Sequence, residues 1–131
     1  MKRRVAVIED NFENRLLARI ILSPHYEVAE YADGGEALRA FAQEPPDLIL
    51  LDISLPGLDG TEVLARIREH PEWRRLPVLA FTAFASARER ERYLAAGFDD
   101  HISKPITDKQ AMLQLLGRLL DPPDPRGPAP S

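Results

Sequence analysis

Apolar positions along this chain follow two rhythms that take turns. The unbroken runs VAVI (Val5–Ile8), LILL (Leu48–Leu51) and VLAFT (Val78–Thr82) predict strands covered on both faces, because a half-exposed strand alternates apolar with polar. Between these runs, apolar residues recur at helical spacing. Leu16, Leu17, Ile20 and Ile21 mark a helix over Phe12–Leu22 that Ser23-Pro24 stops. Ala37, Leu38 and Phe41 mark a second, ended by Pro45-Pro46, and Val63, Leu64 and Ile67 a third. EVAEYA (Glu27–Ala32) is a shorter second strand, followed by the turn Asp33-Gly34-Gly35. A charged fourth helix, about 86–96, shows only a thin apolar face through Ala87, Leu94 and Ala95, with Gly97 expected to cap it at positive φ. A weak fifth strand, Asp100–Ser103, precedes Lys104-Pro105. The last helix, about 107–120, carries Met112, Leu115, Leu116 and Leu119 on one face, with Thr107 or Asp108 as its N-cap.

Five strands alternating with five helices predict an α/β fold, a doubly wound parallel sheet covered on both faces. It fills one domain over residues 1–120, with no internal repeat. The remaining DPPDPRGPAPS, 121–131, holds five of the chain's twelve prolines and no large apolar side chain. It is expected to be a disordered or polyproline-like tail, too short to act as an output domain.

Composition narrows the function. At 131 residues, 44% of them hydrophobic and 29% charged, the chain has room for one ordinary core. A net charge of −4, with arginines interleaved among glutamates in RERER (Arg88–Arg92), argues against direct nucleic-acid binding. The lack of cysteine excludes disulfides, thiolate catalysis and zinc–thiolate sites, and it suits a cytoplasmic location. Acids interrupt the apolar stretch of MKRRVAVIED too early for a signal peptide, and nothing approaches the ~18 apolar residues of a membrane span.

Chemistry gathers at the strand ends, where open α/β sheets form their sites. Strand one ends in Glu9-Asp10, strand three in Asp52, strand four in Thr82, and strand five runs into Lys104. Crowded carboxylates repel, and one would take a proton unless a cation relieved them. Magnesium suits such a site, since it prefers one or two carboxylates, waters and a phosphate oxygen. Asp10 and Asp52 are placed to bind it directly and Glu9 to hold a metal-bound water. Lys104 adds a point charge for a phosphoryl oxygen, and Thr82 a hydrogen bond.

The segments VIEDN, LLDISLPGLDG, AFTA and ISKPI, in that order over residues about 4 to 120, resemble the response-regulator receiver domain of two-component signalling, in its stand-alone form. The resemblance implies a flavodoxin-like (βα)5 fold with strand order 2-1-3-4-5. It implies that Asp52 accepts a phosphoryl group from a phosphohistidine on a sensor histidine kinase or a histidine phosphotransfer protein, with Mg²⁺ as cofactor. The backbone carbonyl of Ser54 becomes a further metal ligand, Thr82 the transducer, and Lys104-Pro105 a cis peptide that aims the lysine. The aromatic switch position three residues before the lysine holds His101, a departure whose imidazole could make switching pH-sensitive. Ser54 and Phe84 occupy positions that tune the phosphate's lifetime. The helix 4–strand 5–helix 5 face is the expected docking surface for a downstream protein effector, or for a second copy in a phosphorylation-dependent homodimer.

Plainer readings exist for each residue alone. Asp52 could cap a turn, Lys104 could be a solvated lysine, and Thr82 a β-branched strand residue. His101 could be a surface residue, RERER a solvated helix face, and Trp73 a cover for the loop after helix three. Two other functions compete with the phosphorylated receiver. A pseudo-receiver would bind partners without phosphate, and the retained Asp10, Asp52, Thr82 and Lys104 speak against it. A Mg²⁺-dependent phosphohydrolase of the haloacid-dehalogenase type would want a second Asp two residues after the first, where Ser54 stands.

Overall fold

Alternate residues of each strand serve two different cores in the computed structural model of the protein, which describes residues 2–121. Its elements are β1 (Arg4–Ile8), α1 (Phe12–Leu22), β2 (Glu27–Tyr31), α2 (Gly34–Gln43), β3 (Leu48–Asp52), α3 (Gly60–Glu69), β4 (Val78–Thr82), α4 (Ala87–Ala96), β5 (Asp100–Ser103) and α5 (Lys109–Leu120). Of the expected tail, all but Asp121 lies outside the described residues. All strand pairs are parallel and the order is β2-β1-β3-β4-β5, a flavodoxin-like doubly wound sheet. No helix among the described residues is long and apolar enough to cross a membrane.

The period of two along each strand divides the core. Val5, Val7, Leu48, Leu50, Leu79 and Phe81 point to one face, where Ala18 and Leu22 of α1 and Met112, Leu116 and Leu120 of α5 cover them. Ala6, Ile8, Ile49, Leu51, Val78 and Ala80 point to the other, under Ala37 and Phe41 of α2 and Val63, Leu64 and Ile67 of α3. Both faces are thus buried, which is why the central strands read as continuous apolar runs. Trp73 closes the second core behind α3, edge-on to Phe41 and stacked on His70.

Each helix begins at a side chain that accepts an otherwise unpaired backbone N–H. Asn11, Asp33, Asp59, Ser86 and Asp108 accept from Asn14, Glu36, Thr61 with Glu62, Glu89 and Ala111, respectively. Asp108 rather than Thr107 is therefore the cap of α5. Gly97 ends α4 at φ 113°, a left-handed conformation that a Cβ would oppose.

Two helix faces differ from the sequence reading. On α4, Leu94 is 37% exposed and Ala87 and Ala95 are exposed too, while Tyr93 is the residue buried against the sheet. Apolarity alone favours Leu94, but Tyr93 combines a ring that packs edge-on to Phe98 with a hydroxyl that reaches Thr82 and the Phe84 carbonyl. On α1, Ala18 and Leu22 are the buried residues and Ile20 is 59% exposed. Ile20 stands two residues after Ala18, about 200° around the helix, and so faces away from the sheet.

Candidate functional site

The order of the sheet reverses between β1 and β3, because the chain leaves β1 for β2 and then returns to β1's other side. Helices diverge at that point and leave a crevice at the carboxyl ends of the strands. Glu9 and Asp10 follow β1 directly, and Asp52 is the last residue of β3. Glu9 is 1% and Asp52 2% exposed, whereas Asp10 faces solvent. One carboxylate oxygen from each of the three lies within 4.8 Å of the others.

Backbone contacts fix these positions. Glu9 N–H donates to the Tyr31 carbonyl, and Ile53 N–H to that of Phe81. Gly60, the first residue of α3, packs so tightly under the end of β3 that a Cβ there would stand 2.4 Å from the Asp52 carbonyl oxygen and 2.8 Å from Ile53 Cα. On β5's side, Lys104 N–H donates to the Thr82 carbonyl, and the Lys104–Pro105 peptide is cis. The lysine reaches across the crevice, with Nζ 2.8 Å from Glu9 Oε2 and 3.0 Å from Asp52 Oδ1. Its ammonium also lies 4.9 Å from the centre of the Phe81 ring.

The electrostatics follow from this crowding. Burial pushes the Glu9 carboxyl above the ordinary carboxylate range, and neighbouring Asp52 pushes it further, against opposing hydrogen bonds from Lys104 and Asn14. Burial also acts to raise Asp52. Hydrogen bonds from Glu9, from the Ser54 N–H at 2.9 Å and from Lys104 outweigh it, so the Asp52 carboxyl lies below its usual range. Desolvation would lower Lys104, but its bonds to Glu9 and Asp52 prevail and raise it. The two carboxyls are thus pushed in opposite directions, Glu9 upward and Asp52 downward beside the Lys104 ammonium. The three carboxylates are hard oxygen donors in excess of the one positive charge among them, and so they fit a divalent cation such as Mg²⁺.

Glu9, Asp10, Asp52 and Lys104 are therefore brought together. Ser54 lies beside them and contributes its backbone N–H to Asp52. Thr82 stands one strand away, 3% exposed, and its hydroxyl contacts not Asp52 but the hydroxyl of Tyr93 at 3.0 Å. His101 is half-buried on β5, its ring centre 6.2 Å from that of Tyr93, and its Nδ1 has no hydrogen-bond partner. Ala83 is exposed, and Phe84 is 66% exposed at the rim.

Three contributors escaped the sequence reading. Asn14 Nδ2 donates to Glu9 Oε1 at 3.2 Å, opposite the oxygen held by Lys104, and so fixes the plane of that carboxylate. Arg15 Nη1 donates to the Glu9 carbonyl at 2.9 Å. Tyr93 holds Thr82. Asn14 and Arg15 lie one turn into α1, within reach of the strand end the helix leaves, and that spacing was the available signal. Tyr93 offered only an aromatic residue amid charges.

Comparison with known proteins agrees with this geometry. The response regulator receiver domain family matches residues 5–116. The polar-differentiation response regulator DivK of Brucella anthropi is 41% identical over 108 residues, 82% of this chain and 88% of DivK. The response regulator PleD of Caulobacter vibrioides is 38% identical over 109 residues, again 82% of this chain but only 24% of PleD, so the chain spans about a quarter of that relative. Among solved structures, the receiver domain of the Pseudomonas aeruginosa sensor histidine kinase PA1611, described with a magnesium ion coordinated in its active-site cleft, superposes with a TM-score of 0.81. The identity there is 34%, over 92% of this chain and 98% of that one. A buried acid at the reversal point of the sheet, a lysine reaching it from the far strand and these likenesses agree, and the chain belongs to the response regulator receiver domain family of two-component signalling.

Proposed function

We propose that the protein takes a phosphoryl group onto Asp52 from a phosphohistidine and signals by a phosphorylation-dependent change in partner binding. The observation that carries this reading is the 2%-exposed Asp52 carboxyl, held 3.0 Å from the Lys104 ammonium and grouped with Glu9 and Asp10. In the transfer, an Asp52 oxygen bonds to phosphorus as the bond from phosphorus to the donor's imidazole nitrogen breaks, and the nitrogen keeps the electron pair. Phosphoryl transfer needs alignment and charge stabilisation more than covalent help. The Ser54 N–H orients Asp52 through Oδ1, Asn14 orients Glu9, and Lys104 neutralises charge on the equatorial oxygens. Asp10, Asp52 and the Ser54 carbonyl would hold Mg²⁺, with Glu9 on a metal-bound water. When bound, the ion supplies the additional positive charge that lets an anionic acid meet an anionic phosphate.

The product adds about −1.5 to −2 charge at neutral pH. Thr82 then serves as the transducer, and His101 occupies the aromatic switch position on β5. The partner side of the reading comprises a sensor histidine kinase or histidine phosphotransfer protein as donor, and a protein effector or second copy on the α4–β5–α5 face. A cytoplasmic site of action suits the cysteine-free chain. Incubation with acetyl phosphate and Mg²⁺ should give one adduct, stable in acid and labile in base, that disappears on chelation and in Asp52→Asn. An adduct that survives either change overturns the assignment, and turnover of free phosphoesters would favour a phosphohydrolase instead.

A further inference from the structure

The hydroxyl of Tyr93 lies in a closed circuit whose protons can be assigned by counting. Three contacts define it: Tyr93 Oη to the Phe84 carbonyl at 2.8 Å, Thr82 Oγ1 to Tyr93 Oη at 3.0 Å, and the Phe84 N–H to Thr82 Oγ1 at 2.9 Å. A carbonyl only accepts, so the single Tyr93 proton goes to Phe84. Tyr93 Oη must then accept from Thr82, whose only proton is spent there. Thr82 in turn accepts from the Phe84 N–H. Every member is satisfied, and the Thr82 hydroxyl has nothing left to donate toward the crevice.

Tyr93 is also the one buried side chain of α4. Its ring packs edge-on to Phe98 at 6.1 Å and lies 6.2 Å from His101. Apart from it, α4 is tied to β5 at the surface by Arg90, whose Nε and Nη2 donate to Asp100 Oδ1 and Oδ2 at 3.1 and 3.4 Å. The hydroxyl that restrains Thr82 therefore belongs to the residue that anchors the helix.

We propose that Tyr93 is the positioning residue of the resting state: it holds the Thr82 hydroxyl away from Asp52 and passes the state of Thr82 directly to α4. The proposal rests on the phosphoacceptor reading of Asp52. A phosphoryl oxygen can claim the Thr82 proton only if the bond to Tyr93 breaks, and breaking it loosens the anchor of α4. Coupling thus runs from the end of β4 to α4 through one hydrogen bond, without an aromatic hydroxyl on β5, where this chain has His101.

Four proteins test it: wild type, Tyr93→Phe, Thr82→Val and the double variant. The probe is beryllofluoride with Mg²⁺, a mimic of the bound phosphoryl group. Tyr93→Phe frees the Thr82 proton while keeping the ring, so beryllofluoride should bind about 2- to 10-fold more tightly, the net worth of one hydrogen bond. In the Thr82→Val background the same substitution should change nothing. Unchanged or weaker binding in Tyr93→Phe, or an equal gain without the Thr82 hydroxyl, overturns the proposal. Amide hydrogen exchange along α4 in the metal-free proteins is the second readout. It should rise in both single variants, and the double should match Tyr93→Phe, which already lacks both bonds of the hydroxyl. If Thr82→Val leaves exchange in α4 at the wild-type rate, the latch does not exist. A wild type that ignores beryllofluoride would count against the phosphoacceptor reading, while exchange would still decide the latch.

Discussion

Replacing Gly60 by alanine sets two physical effects against each other. Alanine is the better helix former, worth up to about 1 kcal/mol over glycine inside a helix. At Gly60, however, the new methyl would stand 2.4 Å from the Asp52 carbonyl oxygen and 2.8 Å from Ile53 Cα, both backbone atoms that cannot swing aside. Overpacking of this kind costs about 1–3 kcal/mol, and rigid neighbours on both sides point to the upper end. The net expectation is a loss of about 2 kcal/mol. For a domain of this length that lowers Tm by about 6–10 °C. Gly117 in α5 is the internal control, since a Cβ there meets nothing within 4 Å. Gly117→Ala should gain about 0.5–1 kcal/mol from propensity alone. Trp73, the only tryptophan and 8% exposed, reports unfolding by fluorescence. The same chemical change should therefore move the two melting curves in opposite directions. A Gly60→Ala protein that melts with or above the wild type would refute the close packing of α3 under β3, and with it the account of how Asp52 is held.

Titration and charge give three further expectations. Because burial raises the Glu9 carboxyl, this group favours the folded state at low pH, and its contribution is lost as pH rises through its folded value. Where Glu9 carries a proton Mg²⁺ must displace it, so Mg²⁺ affinity should weaken as pH is lowered, and calorimetry at low pH in buffers of different ionisation enthalpy should show proton release. Lys104→Ala removes the cation between Glu9 and Asp52, so metal-free stability in urea should drop at pH 7 and drop less at pH 5, where protons take the lysine's place. Asp59 caps α3, with its carboxyl lowered chiefly by the Thr61 hydroxyl. Asp59→Ala should cost about 1 kcal/mol at neutral pH. That gap should close as pH falls through the lowered value, because a depressed carboxyl contributes only while ionised.

Much of the fold could be read because this sheet is buried on both faces. Continuous apolar runs at Val5–Ile8, Leu48–Leu51 and Val78–Phe81 are too short for helices and end in polar residues, and proline pairs and glycines punctuate the helices. The rim acids were equally legible, since a charge at the end of a buried run needs compensation that only neighbouring strand ends can supply. Tyr93 was not. Its burial depends on hydroxyl partners, Thr82 and the Phe84 carbonyl, that the fold brings to it and apolar periodicity does not register. Asn14 escaped for a related reason: beside a helix cap it reads as a local polar residue, and its bond to Glu9 exists only once α1 has docked. On α1 and α4, periodicity located the helices but misplaced their buried faces by one position, because small or amphipathic side chains set the contact.

Borohydride converts an aspartyl phosphate to homoserine, and peptide mapping after acetyl phosphate treatment is the most direct test of where the phosphoryl group goes. The geometry predicts homoserine at position 52, formed only when Mg²⁺ is present. Homoserine at Asp10 or Asp59, or at position 52 without the metal, would contradict it.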